Sequence, residues 1–98
     1  MITIPKNPKI KDIPIAIKQL IEIDFDFSTL INNNLLDKIN YNQFLFLIGI
    51  AAFEGKYFSK NMDFIKKYIN KIDKNNLNLL LELELNLHNI FWFVDSQF

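Results

Sequence analysis

The chain has no cysteine and no arginine, and only two glycines, three prolines, one histidine and one tryptophan among its 98 residues. Without cysteine, thiol catalysis, disulfide scaffolding and cysteine-ligated zinc are excluded together, whereas the compartment stays open, because a cysteine-free chain tolerates oxidising and reducing surroundings alike. With His88 alone, paired-histidine metal sites and two-histidine catalysis are excluded as well. Gly49 and Gly55 leave no spare glycine for a phosphate-cradling loop. All eleven basic residues are lysine. The missing guanidinium fork, which reads phosphate and guanine edges bidentately, argues against a specific nucleic-acid partner. Long apolar runs are also missing. The longest uncharged stretch, residues 39–53, is shorter than the roughly 20 residues that cross a bilayer, and residues 1–11 lack the continuous apolar region of a secretory signal. No membrane association and a cytoplasmic location are expected.

What is present is apolar bulk. Half of the residues are hydrophobic and ten are Phe, well above the range of disordered chains, so one domain spanning residues 1–98 should pack a core without metal or disulfide. Charge balances to a formal zero but is locally uneven. Lysines crowd residues 56–74, and carboxylates gather at Glu22, Asp24 and Asp26 and again at Glu82 and Glu84. The ordinary explanation of such groups is solvated helix faces.

Punctuation divides the chain. Pro5 and Pro8 among lysines make residues 1–11 an extended lead-in. Asp12 before Ile13 and Pro14 is a helix start, and Ile13, Ile17, Leu20 and Ile21 recur at helical spacing, predicting a helix to about Asp24. Residues 21–27 alternate apolar and acidic side chains, a strand pattern that their Asp content opposes. Ser28 can cap a short helix through Leu36, weakened by Asn32, Asn33 and Asn34. Residues 81–87 alternate more strictly still, yet every apolar position from 77 to 87 is Leu and the intervening residues include Glu, both strong helix formers. Wound as a helix, residues 77–94 are apolar on most sides, which predicts the central, most buried element, with Asn78, Glu82, Asn86 and Asn89 on a narrow polar edge.

The most readable part is a helical hairpin. Tyr41 to Phe53 is a continuous apolar run, Gly55 sits where a helix would end in a left-handed residue, and Asn61 can cap the helix that follows. On that second helix Met62, Ile65, Tyr68, Ile69 and Ile72 share a face, with Asp63, Lys66, Lys67, Asn70 and Lys74 around the other. Gly49, within the first helix, costs about 1 kcal/mol against Ala, and close approach of the second helix is its expected return. The fold expected is all-α, a small single domain of about five helices around this αα-hairpin. The alternative is α+β, with short strands near 21–27 and 79–87.

Ile48-Gly49-Ile50-Ala51-Ala52-Phe53-Glu54-Gly55, followed by Lys60-Asn61 and Tyr68, resembles a single Sel1-like repeat, a relative of the tetratricopeptide hairpin, over residues 41–72. Tyr57 stands where that pattern has a further Gly, Phe58 replaces an aliphatic residue, and Ile65 and Ile72 occupy small-residue positions. No convincing second copy follows at the expected offset, although residues 77–94 could supply a degenerate first helix of one. The resemblance implies a scaffold for protein binding and carries over no individual binding residue.

Chemistry is sparse. Glu84 and His88, four residues apart, share a helix face and form either an acid–base pair or a surface ion pair, and no Ser or Thr nucleophile has a place beside them. Glu22, Asp24 and Asp26 lack the Gly and distal Glu of a calcium loop and, if helical, share no tight face. No cofactor, metal or catalytic residue is expected. The aromatic C-terminus, Phe91-Trp92-Phe93, is more telling, because Trp buries much area with few torsions to freeze, and Trp92 is therefore a candidate contact residue. The competing role for Trp92 is to close the core. Tyr57 and Phe58 at the hairpin turn form a second aromatic candidate, with packing beneath the turn as the alternative.

By elimination, the expected function is non-enzymatic protein binding, in the form of an immunity or antitoxin-type inhibitor. Glu22, Asp24, Asp26, Glu82 and Glu84 would then face a basic toxin or effector domain and the chain would occlude it. The alternative is a structural or adaptor module that self-associates, for instance as a homodimer, through Trp92.

Overall fold

A computed structural model describes residues 4–53, 58–72 and 75–97, with the side chains of residues 27, 28, 33 and 58–61 outside that description. Four α-helices carry the fold among the described residues: α1, Ile13–Glu22; α2, Tyr41–Phe53; α3, Phe58–Lys71; and α4, Leu77–Gln97. Three short 3-10 turns, Ile10–Asp12, Phe27–Leu30 and Asn33–Leu35, complete the helical set. The chain is all-α, with four α-helices where about five are expected. No strand forms among the described residues: residues 21–27 span the end of α1, a turn and a 3-10 start, and residues 79–87 lie inside α4.

The end of α1 explains why the first alternation is not a strand. The Phe25 N–H donates to the Leu20 carbonyl at 3.0 Å and the Asp24 N–H to the Ile21 carbonyl at 3.0 Å. Asp24 has φ 52°. This is a Schellman closure, with Asp24 in the left-handed position usually taken by Gly and Phe25 packed back on the core. The helix therefore stops at Glu22 rather than near Asp24. At its other end Asp12 precedes Ile13 and Pro14 as expected, but its carboxylate accepts the Lys9 N–H at 2.9 Å and makes no cap bond into α1. Residues 10–12 are thus a 3-10 turn at the end of the lead-in. The helix expected after Ser28 is replaced by the two remaining 3-10 turns. Asn32 Oδ1 accepts the Asn34 N–H at 3.1 Å, a local side-chain bond that competes with helix propagation.

α2 is the central element. Its residues 44–51 are all buried. Its start pairs with the end of α3: the Phe44 ring stacks on Tyr68 at 3.8 Å between centroids and on Phe64 at 5.8 Å, so the two helices run antiparallel as a hairpin. In α3, Phe64 and Ile65 are buried and Met62, Tyr68 and Ile69 pack partly on the core, while Asp63, Lys66, Lys67 and Asn70 stay in solvent. The helix begins at Phe58, three residues before the Asn61 expected as its cap, and the C-cap expectation at Gly55 lies outside the described residues. Gly49 does not face α3. A Cβ there would meet Ile13 Cδ1 at 2.5 Å and Ile90 Cγ2 at 3.2 Å, so the close approach that requires a glycine is that of α1 and α4.

The expectation that α4 is the most buried element is overturned. Only Leu83, Ile90 and Val94 are buried, and they line the one side of α4 that packs on α2 and α1. An Ile-, Leu- and Phe-rich α2 already fills the centre, leaving α4 as an outer layer with two apolar sides, only one of which is covered, by α2 and α1.

Candidate functional site

Among the described residues, the outer side of α4 carries the longest run of exposed large apolar side chains. Asn76 starts the helix by accepting the Leu79 N–H on its Oδ1 at 3.1 Å, and a 21-residue helix follows whose first half, to Leu87, is mostly the strong helix formers Leu and Glu. Leu83, Ile90 and Val94 fix its rotation by burying one stripe. With about 100° per residue, Leu77, Leu81, Leu85, His88 and Trp92 then fall in one arc on the opposite side. Leu77 is 69% exposed, Leu81 63%, Leu85 59% and Trp92 68%, with Phe91 exposed at the edge. A run of solvent-facing leucines ending in a tryptophan is an unsatisfied hydrophobic surface of the kind that marks contact sites.

Trp92 is thus outside the core rather than closing it. Glu84 and His88 are exposed along the same stripe, and among the described residues no side-chain hydrogen bond or ion pair joins them. Glu82 is exposed on the flank, where it borders a cleft of about 410 Å³ between α4, the first turn of α2 and residues 8–13. Inside this cleft the Asn86 side-chain amide donates to the Tyr41 hydroxyl at 2.8 Å, so the polar edge expected of Asn86 is instead half-buried and partnered. Tyr68, whose ring is tilted 43° from that of Tyr41 at 6.5 Å between centroids, has its hydroxyl pKa raised, first by burial and then by Tyr41.

The remaining acidic candidates lie elsewhere. Glu22 ends α1, Asp24 occupies the left-handed turn position and Asp26 follows it, all exposed. Glu82 shares its cleft with Lys9 and Ile13 at the start of α1, whereas Glu22 is at the other end of that helix, about 14 Å along its axis. The structure therefore separates the two acidic groups. Among the described residues no three His, Asp or Glu side chains converge as a metal-binding group. Tyr57 lies outside the described residues, and Phe58 is the first residue of α3, its side chain likewise outside.

No protein-family model, curated protein or solved structure matches the chain. The reading of the surface therefore rests on its own geometry. Leu77, Leu81 and Leu85 are the functional candidates that sequence reasoning misses. Their signal is present in the leucine spacing of four, but it is read as core because nothing local tells which side of a wholly apolar helix meets α2. Among the described residues no helix is long and apolar enough to cross a membrane.

Proposed function

We propose that the protein is a non-enzymatic protein-binding protein that works through the outer side of α4. One observation carries this reading: Trp92 stands 68% exposed in line with three exposed leucines on a rigid helix. Holding four large apolar side chains in water costs free energy that a partner recovers, and a helix presents them with little further ordering. In its most specific form the protein is an immunity or antitoxin-type inhibitor. There the stripe docks on a toxin or effector, and Glu82 and Glu84 at its edges steer a basic partner into place. The second form is a structural or adaptor module that self-associates, favoured by the length of the stripe, from Leu77 to Trp92, interrupted only by His88.

Affinity capture with the tagged chain tests the reading, comparing wild type with Trp92→Ala and with the Glu82→Lys/Glu84→Lys pair. Since these side chains stand in solvent, the variants keep the fold, which circular dichroism verifies. A stoichiometric bound protein lost in both variants is the outcome for an inhibitor of a basic partner. Capture of another copy of the chain alone selects the second form. A bound protein retained by both variants would move the contact surface away from α4.

A further inference from the structure

The spacing along the outer side of α4 carries more than exposure. From Leu81 the stripe advances by four residues to Leu85, three to His88 and four to Trp92, the alternation that lines the seam of a two-stranded coiled coil. From Leu77 to Trp92 it runs about 22 Å. Leu77, Leu81, Leu85, Phe91 and Trp92 leave on the order of 600 Å² of apolar side chain in solvent per copy. The flanking Glu84 and Asn89 stems bring this near the roughly 800 Å² per partner of a standard stable interface.

Charge chooses the direction. In a parallel pair, Glu82 and Glu84 of one copy would stand level with the same carboxylates of the other, and His88 would oppose His88. In an antiparallel pair with its two-fold axis between Asn86 and Leu87, the sequence is complementary to its own reverse. Leu81 stands opposite Trp92 and Leu85 opposite His88, while on one flank Glu84 neighbours Phe91, on the other Glu82 neighbours Asn89, and beyond the seam Asp95 faces Asn78. Each carboxylate of one copy then meets an uncharged residue of the other, and the two helix dipoles oppose each other favourably. Large and small seam residues alternate across the axis, so the two tryptophans fill opposite ends instead of colliding.

We propose that the outer side of α4 is covered by a second copy of this chain, forming an isologous antiparallel dimer whose seam is Leu81, Leu85, His88 and Trp92. This rests on the reading of that side as a contact surface and takes its self-association form.

The native chain has no cysteine, so introduced thiols report the pairing directly. Wild type is measured first by light scattering at about 0.1 mM, where a micromolar dimer is almost wholly assembled, and the expected mass is twice 11.6 kDa. Trp92→Ala and Leu85→Lys should restore the single-chain mass with helical circular dichroism intact. Under mild oxidation a mixture of Leu85→Cys and His88→Cys chains should cross-link to each other, and neither should cross-link alone. Cross-linking of each variant alone without the mixed product would overturn the antiparallel register in favour of a parallel one. A wild-type monomer would overturn the dimer itself. In that case a captured protein lost in Trp92→Ala keeps α4 as a contact surface for a different partner, and no capture removes both readings.

Discussion

Asn40 and Gln43 cap each other at the start of α2. The Gln43 N–H donates to Asn40 Oδ1 and the Asn40 N–H to Gln43 Oε1, both at 2.9 Å. The same two side chains turn their amide nitrogens outward. Asn40 Nδ2 donates to the Lys6 carbonyl and Gln43 Nε2 to the Pro5 carbonyl, each at 2.8 Å. One pair of residues thus closes the buried central helix and ties the N-terminal segment to it. Replacing Asn40 with Ala should cost about 1–2 kcal/mol, since the loss of an N-cap is joined by the loss of a backbone partner. Urea denaturation of Asn40→Ala, Gln43→Ala and the double variant measures it. Each substitution removes one side-chain acceptor and leaves the other bond's groups in place, so the shortfall of the double variant's loss from the sum of the singles measures how far each bond holds the other in position.

Gly49 is a steric requirement. Alanine would gain about 1 kcal/mol of helix propensity, but its Cβ would stand 2.5 Å from the Ile13 Cδ1 methyl, and Ile13 and Ile90 are fully buried with nowhere to retreat. Overpacking of this kind costs about 1–3 kcal/mol. Gly49→Ala should therefore lower the melting temperature, and adding Ile13→Val, which removes the offending methyl, should recover most of the loss. An Ala variant as stable as wild type would show that α1 moves freely against α2.

Asp24 holds φ 52°, a conformation that costs an L-residue roughly 1 kcal/mol and glycine almost nothing. Asp24→Gly should gain about 0.5 kcal/mol after the larger entropy of the unfolded glycine is subtracted, and Asp24→Val should lose about 1–2 kcal/mol because a β-branched side chain is least tolerant there. The urea midpoints of the two variants should shift in opposite directions. A shared direction would mean that the carboxylate, rather than the backbone angle, sets the stability of this turn.

Tyr68 gives the molecule an alkaline limit. Burial, with Tyr41 adding to it, raises its hydroxyl pKa above the ordinary 10.0, so the folded state holds the proton more tightly than the unfolded chain does. The resulting stabilisation is fully present below pH 10.0 and is lost as pH climbs through the folded-state value. Wild type should melt progressively lower above pH 10.0, and Tyr68→Phe should flatten that decline. Equal slopes for the two proteins would assign the alkaline sensitivity to another group.

Legibility followed locality. The hairpin of α2 and α3 is readable because its evidence is an unbroken apolar run, a charged stripe and a short connection. The reading of residues 77–94 as helix rather than strand holds because Leu and Glu decide it residue by residue. The Asn40-Tyr41-Asn42-Gln43 box is also written in the sequence as an Asn and a Gln three apart, yet the eye passes over it beside the apolar run it opens. The burial of α4 is not legible. Leu77, Leu81 and Leu85 differ from Leu83 and Leu87 in no chemical respect, and only the position of α2 decides which group faces water. Gly49 teaches the same lesson: its packing partners, Ile13 and Ile90, lie far away in the chain in both directions.

The tie between Pro5, Lys6 and the α2 cap also orders events in time. The carbonyls are made first, but their donors follow 34 and 38 residues later. On the ribosome the N-terminal segment therefore has no docking site until the whole of α1 and the opening of α2 have emerged. Closing so long a loop is an entropic cost met only after the nearer contacts exist. Docking of this segment becomes a late step in assembly, and the NMR signal of the Asn40 side-chain amide, whose Nδ2 donates to the Lys6 carbonyl, serves as its clock during refolding.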